Sequence, residues 1–335
     1  MEFFYEYGMF LLQAVTIVLA IGAVVAVIAT ASRGDEKSGG LKIENLNDKY
    51  RDMANALRKA VLSKSQWKEV EKQQKKAAKD AGKKADDEQK KRVFVLEFKG
   101  DIRATAVESL REEVSAVVSV AGQNDEVVVC IENAGGAVQD HGLGASQLQR
   151  IRDHGIPLTV IVDKVAASGG YLMAALADRF VAAPFAIIGS IGVLAQIPNF
   201  HRFLEDRGID FEQITAGKYK RTLTMFGKNT EADREKTREE LEEVHTLFKN
   251  AVSEHRPSMD IESVATGEHW YGTRALELGL IDELGSSDDY LMKAADDADI
   301  YSVTWKAQQS FIQKLQGAMT AALAAVGFET RPPLG

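Results

Sequence analysis

The chain has 335 residues, of which 45% are hydrophobic, 27% charged and 7% aromatic, with a formal charge of −8 and one cysteine. That length supports a full hydrophobic core without covalent staples, and a single cysteine excludes an internal disulfide framework or a cysteine-built zinc cluster. The acidic balance argues against non-specific nucleic-acid binding, and a mean hydropathy of −0.18 reads as that of a soluble chain.

The N-terminal segment departs from that average. Residues 9–31 run for 23 positions without a charge. As a helix they would reach roughly 34 Å, enough to cross a hydrocarbon core of about 30 Å. Ala29-Thr30-Ala31 imitates a signal-peptide cleavage site, but residues 1–8 carry no Lys or Arg, and the apolar run exceeds the about 7–15 residues of a signal peptide. A retained transmembrane anchor is therefore expected over residues 1–32, with Phe3, Phe4, Tyr5 and Tyr7 at the interface. The first basic residues, Arg33, Lys37 and Lys42, follow the span, and the positive-inside rule then places the rest of the chain in the cytoplasm.

Residues 33–92 form the next stretch. Leu46, Tyr50, Met53, Leu57 and Val61 recur at helical spacing and predict a juxtamembrane helix. From 65 to 92 the chain is Lys-rich and almost free of apolar residues after Val70. It reads as a solvated helical or disordered tether, with contact to anionic headgroups as the alternative.

Strands and helices then alternate. Residues 93–98 read as a strand, 105–121 as an amphipathic helix and 126–132 as a buried strand holding Cys130. Residues 140–154 read as a helix with Leu143, Leu148 and Ile151 inward, and 157–163 as a third buried strand. This order predicts an α/β fold with a largely parallel sheet. Residues 180–200 are uncharged, but Pro184, Gly189, Ser190, Gly192 and Pro198 make them short strands and turns instead of a second membrane span. Thr230 to Asp233 predicts a capping box opening a long helix. Its Leu241, Val244, Leu247, Phe248, Ala251 and Val252 read as one core face, and its His245 and His255 as solvated. The folded body is expected over 93–295; a strand, an amphipathic helix at about 306–326 and a tail complete 296–335.

Three glycine-bearing turns follow strand ends, where open α/β sheets place their sites: Glu132 to Gly136, Val165 to Gly170 and Ile188 to Gly192. A fourth, Ala216 to Arg221, follows the strand-like 211–215. Ser168 stands between small residues at a helix entry, where free N–H groups favour developing negative charge, although a serine there is most often an N-cap. None of the six histidines is paired with it by spacing. A lysine base is the alternative, and it requires an apolar site: lowering a lysine by ~3 units from about 10.4 takes on the order of 4 kcal/mol. No phosphate loop, G-x-G-x-x-G or metal-ligand spacing occurs, so neither cofactor nor metal is expected.

VAASGGY (165–171), GSIGV (189–193), GKYK (217–220) and ATGEHWYGTRALELGLIDEL (265–284) together resemble the signal peptide peptidase A family of membrane-bound serine peptidases. The resemblance implies a ClpP/crotonase-like fold of stacked βα repeats. It matches Ser168 to the nucleophile, Lys220 to the general base with Lys218 as competitor, and Ser190 to the hydroxyl that orients the lysine. Gly135 and Gly136 match the oxyanion-hole pair, with Ala134 where the family has proline. It further implies a homo-oligomer whose dyad is shared between protomers, membrane-associated peptides as substrates, and a place in the bacterial inner membrane. Much of that family works on the outer side, opposite to the charge count. A crotonase-like acyl-CoA enzyme and a catalytically inactive membrane scaffold are the alternative readings.

Overall fold

The computed structural model describes residues 7–13, 15, 16, 18, 39–84 and 90–306. The chain divides into two compact units, Met1–Leu41 with Trp305–Gly335, and Lys42–Thr304. In the first, residues 7–13 are helical. Most of the expected anchor at 9–31 and almost all of the expected helix at 306–326 lie outside the described residues. Among the described residues no helix is long and apolar enough to cross a membrane.

The second unit is built on one sheet. In chain order come β1 (Gly40–Asn45), α1 (Leu46–Val61), α2 (Lys64–Lys84), β2 (Arg92–Gly100), α3 (Val107–Val118), β3 (Glu126–Asn133), α4 (Val138–Asp153) and β4 (Leu158–Val162). Then follow β5 (Val165–Ala167), α5 (Gly169–Ala174), β6 (Arg179–Ala182), β7 (Ile187–Gly189), α6 (His201–Glu205) and α7 (Glu231–His255). The series ends with α8 (Ile261–Val264), β8 (His269–Tyr271), α9 (Gly272–Glu277), β9 (Glu283–Leu284), α10 (Ser287–Asp297) and β10 (Asp299–Lys306). The main path runs β1-β10-β2-β3-β4-β6-β9, and β5, β7 and β8 branch from β3. Strand pairs from β10 through β9 and along β3–β5–β7 are parallel; β8 joins β7 antiparallel. The expected α/β architecture with a largely parallel sheet is therefore present.

Both sheet faces are buried, which explains the unbroken apolar runs of β2, β3 and β4. Leu96, Phe98, Val129, Ile131 and Val160 point to one face and pack with Leu110, Leu148 and Met173 of α3, α4 and α5. Val93, Val95, Val128 and Ile161 point to the other, with Leu46 of α1 and Leu291 of α10. Cys130 lies in β3 as expected, and burial pushes its thiol up to about 12.

Residues 64–84, part of the expected tether, form α2. Other helical expectations need correction. Leu143 is 45% exposed, whereas Leu148 and Ile151 are buried. Residues 211–215 form no strand and are exposed. The capping box is present: Asp233 N–H donates to Thr230 Oγ1, and Thr230 N–H to Asp233 Oδ2. Yet of the α7 stripe only Val252 is buried. Its histidines are half-buried rather than solvated. His255 Nδ1 lies 2.7 Å from Arg152 Nη1, and burial with that cation holds the imidazole below its usual value.

The C-terminal end of α7 is clamped to the sheet by Arg256, a buried guanidinium that donates two bonds to Asp282, at 2.7 and 2.9 Å. Burial alone would raise the Asp282 carboxyl, but Arg256 and the Phe180 N–H overcome it and hold it below the usual carboxylate range. A depressed folded value means stability that is present above about pH 4, the unfolded value, and lost as pH falls through the folded one. Asp282→Asn is expected to destabilise by about 1–3 kcal/mol at pH 7, mainly by leaving Arg256 unpaired. In urea titrations followed by circular dichroism, the gap from the unsubstituted chain should close as pH is lowered below 4.

Candidate active site

Parallel pairing brings three of the four glycine-bearing turns to one edge. Asn133 of β3 is opposite Ala166 of β5, and Ala167 is opposite Gly189 of β7. All three strands run the same way, so the turns that follow them leave from the same side of the sheet.

Ser168 occupies the middle turn with φ +50° and ψ −121°. For a residue with a Cβ this is a sparsely populated conformation, and holding it takes about 1–3 kcal/mol from surrounding contacts. Two hydrogen bonds fix it: Ser168 N–H donates to Gly189 O at 2.8 Å, and Leu172 N–H donates to Ser168 O at 3.0 Å. The result is a strained strand-to-helix elbow built on Ala-Ala-Ser-Gly-Gly, without the G-x-S-x-G sequence. Ser168 is half-buried, and its Oγ makes no hydrogen bond among the described residues.

Gly135 presses against this elbow at φ +91°. A Cβ on it would stand 2.6 Å from Ser168 Cβ and 3.0 Å from Gly169 N. On Gly136 it would collide with the Ile102 carbonyl. The Gly135 N–H is engaged, donating to Asn133 Oδ1 at 2.5 Å. The N–H groups of Gly136 and Gly169 make no hydrogen bond among the described residues, and both residues line the cleft beside Ser168.

That cleft has a volume of about 560 Å³. One wall is the elbow with Leu172 and Val193; the other is α7, through Val244, Leu247, Phe248 and Ala251. The stripe expected to be core is thus largely cleft lining, and Leu247 is 63% exposed. Helical periodicity identifies an apolar face but not whether protein or a cavity lies opposite it.

Ser190 follows β7 at φ +52°, with its N–H on Glu268 O at 2.7 Å and its Oγ 3.4 Å from Gly267 O. Lys220 is exposed, its N–H donates to Gly217 O at 3.2 Å, and it does not line the cleft. Among the described residues no hydrogen bond joins Lys220 to Ser168 or Ser190. Lys218 stacks on Tyr219, with Nζ 4.8 Å from the ring centroid, and is held above the usual lysine value by that phenol. Ser168, Gly135 and Gly136 are therefore brought together within one chain, Ser190 leaves the same edge, and Lys220 stands apart.

Sequence reasoning put Asn133 and Gly169 in glycine-bearing turns without a role for either, and gave His141 none. Asn133 has a readable signal, since an Asn two residues before a glycine amide makes an Asx turn. His141 has none; only the fold puts its helix under the elbow.

The contacts around Gly135 give a direct test. Gly135→Ala combines a clash with positive φ and should destabilise by about 2–3 kcal/mol. Gly142→Ala, in α4 with nothing within 4 Å of the added Cβ, should leave stability equal or higher by about 0.5–1 kcal/mol. Thermal melts of the two variants would separate them by several degrees.

Residues 2–148 match the family described as Peptidase family S49 N-terminal, and residues 150–301 match Peptidase family S49. The chain is 46% identical over 319 residues to "Probable protease SohB" of Haemophilus influenzae, covering 92% of this chain and 90% of that one. It is 52% identical over 231 residues to "Probable protease SohB" of Buchnera aphidicola subsp. Acyrthosiphon pisum, covering 69% of each. The ClpP protease catalytic domain from Plasmodium falciparum aligns at 12% identity and a TM-score of 0.37, over 58% of this chain and 85% of that chain. With both halves matched and its likeness to the first relative running nearly end to end, this chain belongs to peptidase family S49.

Proposed function

We propose that the chain is a membrane-anchored serine endopeptidase of ClpP/crotonase-like fold that works by a Ser168–Lys220 dyad. The observation that carries the reading is the elbow: a serine held at positive φ against a glycine turn, opening on an apolar cleft. Ser168 Oγ attacks the scissile carbonyl carbon and its proton passes to Lys220 Nζ. The tetrahedral oxyanion takes N–H bonds from Gly136 and Gly169, the two amides left unengaged. Gly135 supports that turn while its own N–H rests on Asn133. Collapse breaks the C–N bond, and Lys220 returns the proton to the leaving amine. Lys220 then deprotonates a water that hydrolyses the acyl ester and restores Ser168. Ser190 orients the lysine amine.

Lys220 is exposed in the chain, so this mechanism draws the lysine from a neighbouring copy in a homo-oligomer. The segment that carries it supports such a contact, because Leu194 is 75% and Ile214 94% exposed, and Phe203 and Tyr219 are exposed with them. The apolar cleft suits substrate side chains of the same character, and an anchor at residues 9–31 would hold the enzyme in the bacterial inner membrane beside membrane-associated peptides such as remnant signal peptides.

Cleavage of casein or an apolar fluorogenic peptide by the detergent-solubilised full chain tests this. Ser168→Ala and Lys220→Ala should each lower kcat by about 10³-fold or more, and Lys218→Ala should leave it within about twofold. Unchanged turnover in either of the first two would overturn the dyad. Mixing the two inactive variants should restore part of the activity if the dyad is shared, and a mixture that stays inactive would overturn the sharing. Leu247→Asp should raise KM for the apolar peptide about tenfold with kcat little changed.

A further inference from the structure

Beneath the elbow lies a buried polar pair that the mechanism above does not use. His141 on α4 is 0% exposed and Asn133 at the end of β3 is 1% exposed. Two glycines make room for them. A Cβ on Gly169 would run into the His141 ring, and one on Gly100, opposite Asn133 in the β2–β3 register, would run into the carboxamide. The ring therefore touches the residue after Ser168, and the carboxamide touches the glycine turn. Between them they contact both sides of the oxyanion site.

The hydrogen bonds of the pair are unevenly used. His141 Nδ1 lies 2.9 Å from Ala137 O, an oxygen that can only accept, so Nδ1 carries a hydrogen. Nε2 stands 3.1 Å from Asn133 Oδ1, the same oxygen that accepts the Gly135 N–H. Asn133 Nδ2 is buried and has no partner among the described residues. With the hydrogen on Nδ1, a neutral ring turns the acceptor Nε2 toward the acceptor Oδ1 while the buried donor Nδ2 stays idle, a poor arrangement for stability alone. The carboxamide has a second arrangement. Turned over, Nδ2 would donate to a bare Nε2, and Oδ1 would leave the Gly135 N–H.

We propose that His141 is a positioning residue for peptide cleavage: acting through the Asn133 carboxamide, it sets whether the Gly135 N–H is engaged, and so how the Gly135–Gly136 turn meets the oxyanion. The inference rests on the serine-peptidase reading of Ser168. It assigns His141 no proton transfer to substrate. The ring acts on the turn and, by contact, on Gly169.

The test uses the full chain in detergent with a fluorogenic peptide and with a peptide aldehyde, whose serine adduct carries the oxyanion. His141→Phe keeps an aromatic ring under Gly169 and removes both hydrogen bonds. The expected result is a fall in kcat of about 10- to 100-fold, KM within about threefold, and aldehyde affinity falling in step with kcat. Asn133→Ala should behave alike, and the double variant should be no worse than the poorer single one, because both act through one carboxamide. Multiplicative losses, or His141→Phe with unchanged kcat, would overturn the proposal. A loss seen in KM rather than in kcat and aldehyde affinity would overturn it too. If a thermal melt shows that His141→Phe does not fold, Asn133→Ala carries the same readouts. Ser168→Ala separates the two levels: if that variant still cleaves, the peptidase reading fails, whereas an inactive Ser168→Ala beside a fully active His141→Phe overturns this inference alone.

Discussion

Parallel pairing of β3, β5 and β7 fixes where the rest of the site can be. With Asn133 opposite Ala166 and Ala167 opposite Gly189, the chain leaves the sheet three times at one edge, each time through a turn with positive φ. A slip of one residue in any pair would send the following side chain to the other face. The register is held by burial on both faces, because β3 and β4 carry apolar side chains in both directions and none could be exposed without loss. Core packing and the placement of Ser168 are thus one constraint.

Around that edge the local conformations lean on each other. Ser168 keeps its positive φ through a bond to Gly189, Gly189 leaves no room for a Cβ against the Trp270 ring, and Ser190 is tied to Glu268. Gly135 fills the space beside Ser168 that any larger residue would claim. On the other side of the cleft, α7 is anchored at its end by the Arg256–Asp282 pair rather than by a buried stripe. One wall is stiff and built from turns; the other is a helix face open to the cavity.

Much of this was legible in the sequence. The continuous apolar runs of β2, β3 and β4 reported a sheet covered on both faces, and the Thr230–Asp233 box marked the start of α7 to the residue. The glycines after three strands marked the turns that converge. What stayed hidden depended on long-range placement. Val244, Leu247 and Phe248 have the spacing of core residues, and only the fold shows a cavity opposite them. Leu143 has that spacing as well but falls on the solvent side of α4. His141 looks like any polar helix residue until α4 is laid under Gly169. The 211–215 segment has strand composition but pairs with no strand among the described residues.

The conformation of Ser168 has a consequence for how such a chain can drift. The backbone there suits glycine better than any residue with a side chain, so the serine is retained against a local preference of about 1 kcal/mol or more. Loss of the hydroxyl by change to glycine would relax the elbow and leave the sheet, the cleft and the clamp untouched. If the hydroxyl serves only the proposed cleavage, a copy that no longer needs it would settle at glycine and become sturdier. Under the proposed role of Ser168, the residue at this position would then report on the chemistry independently of how well the rest of the fold is preserved.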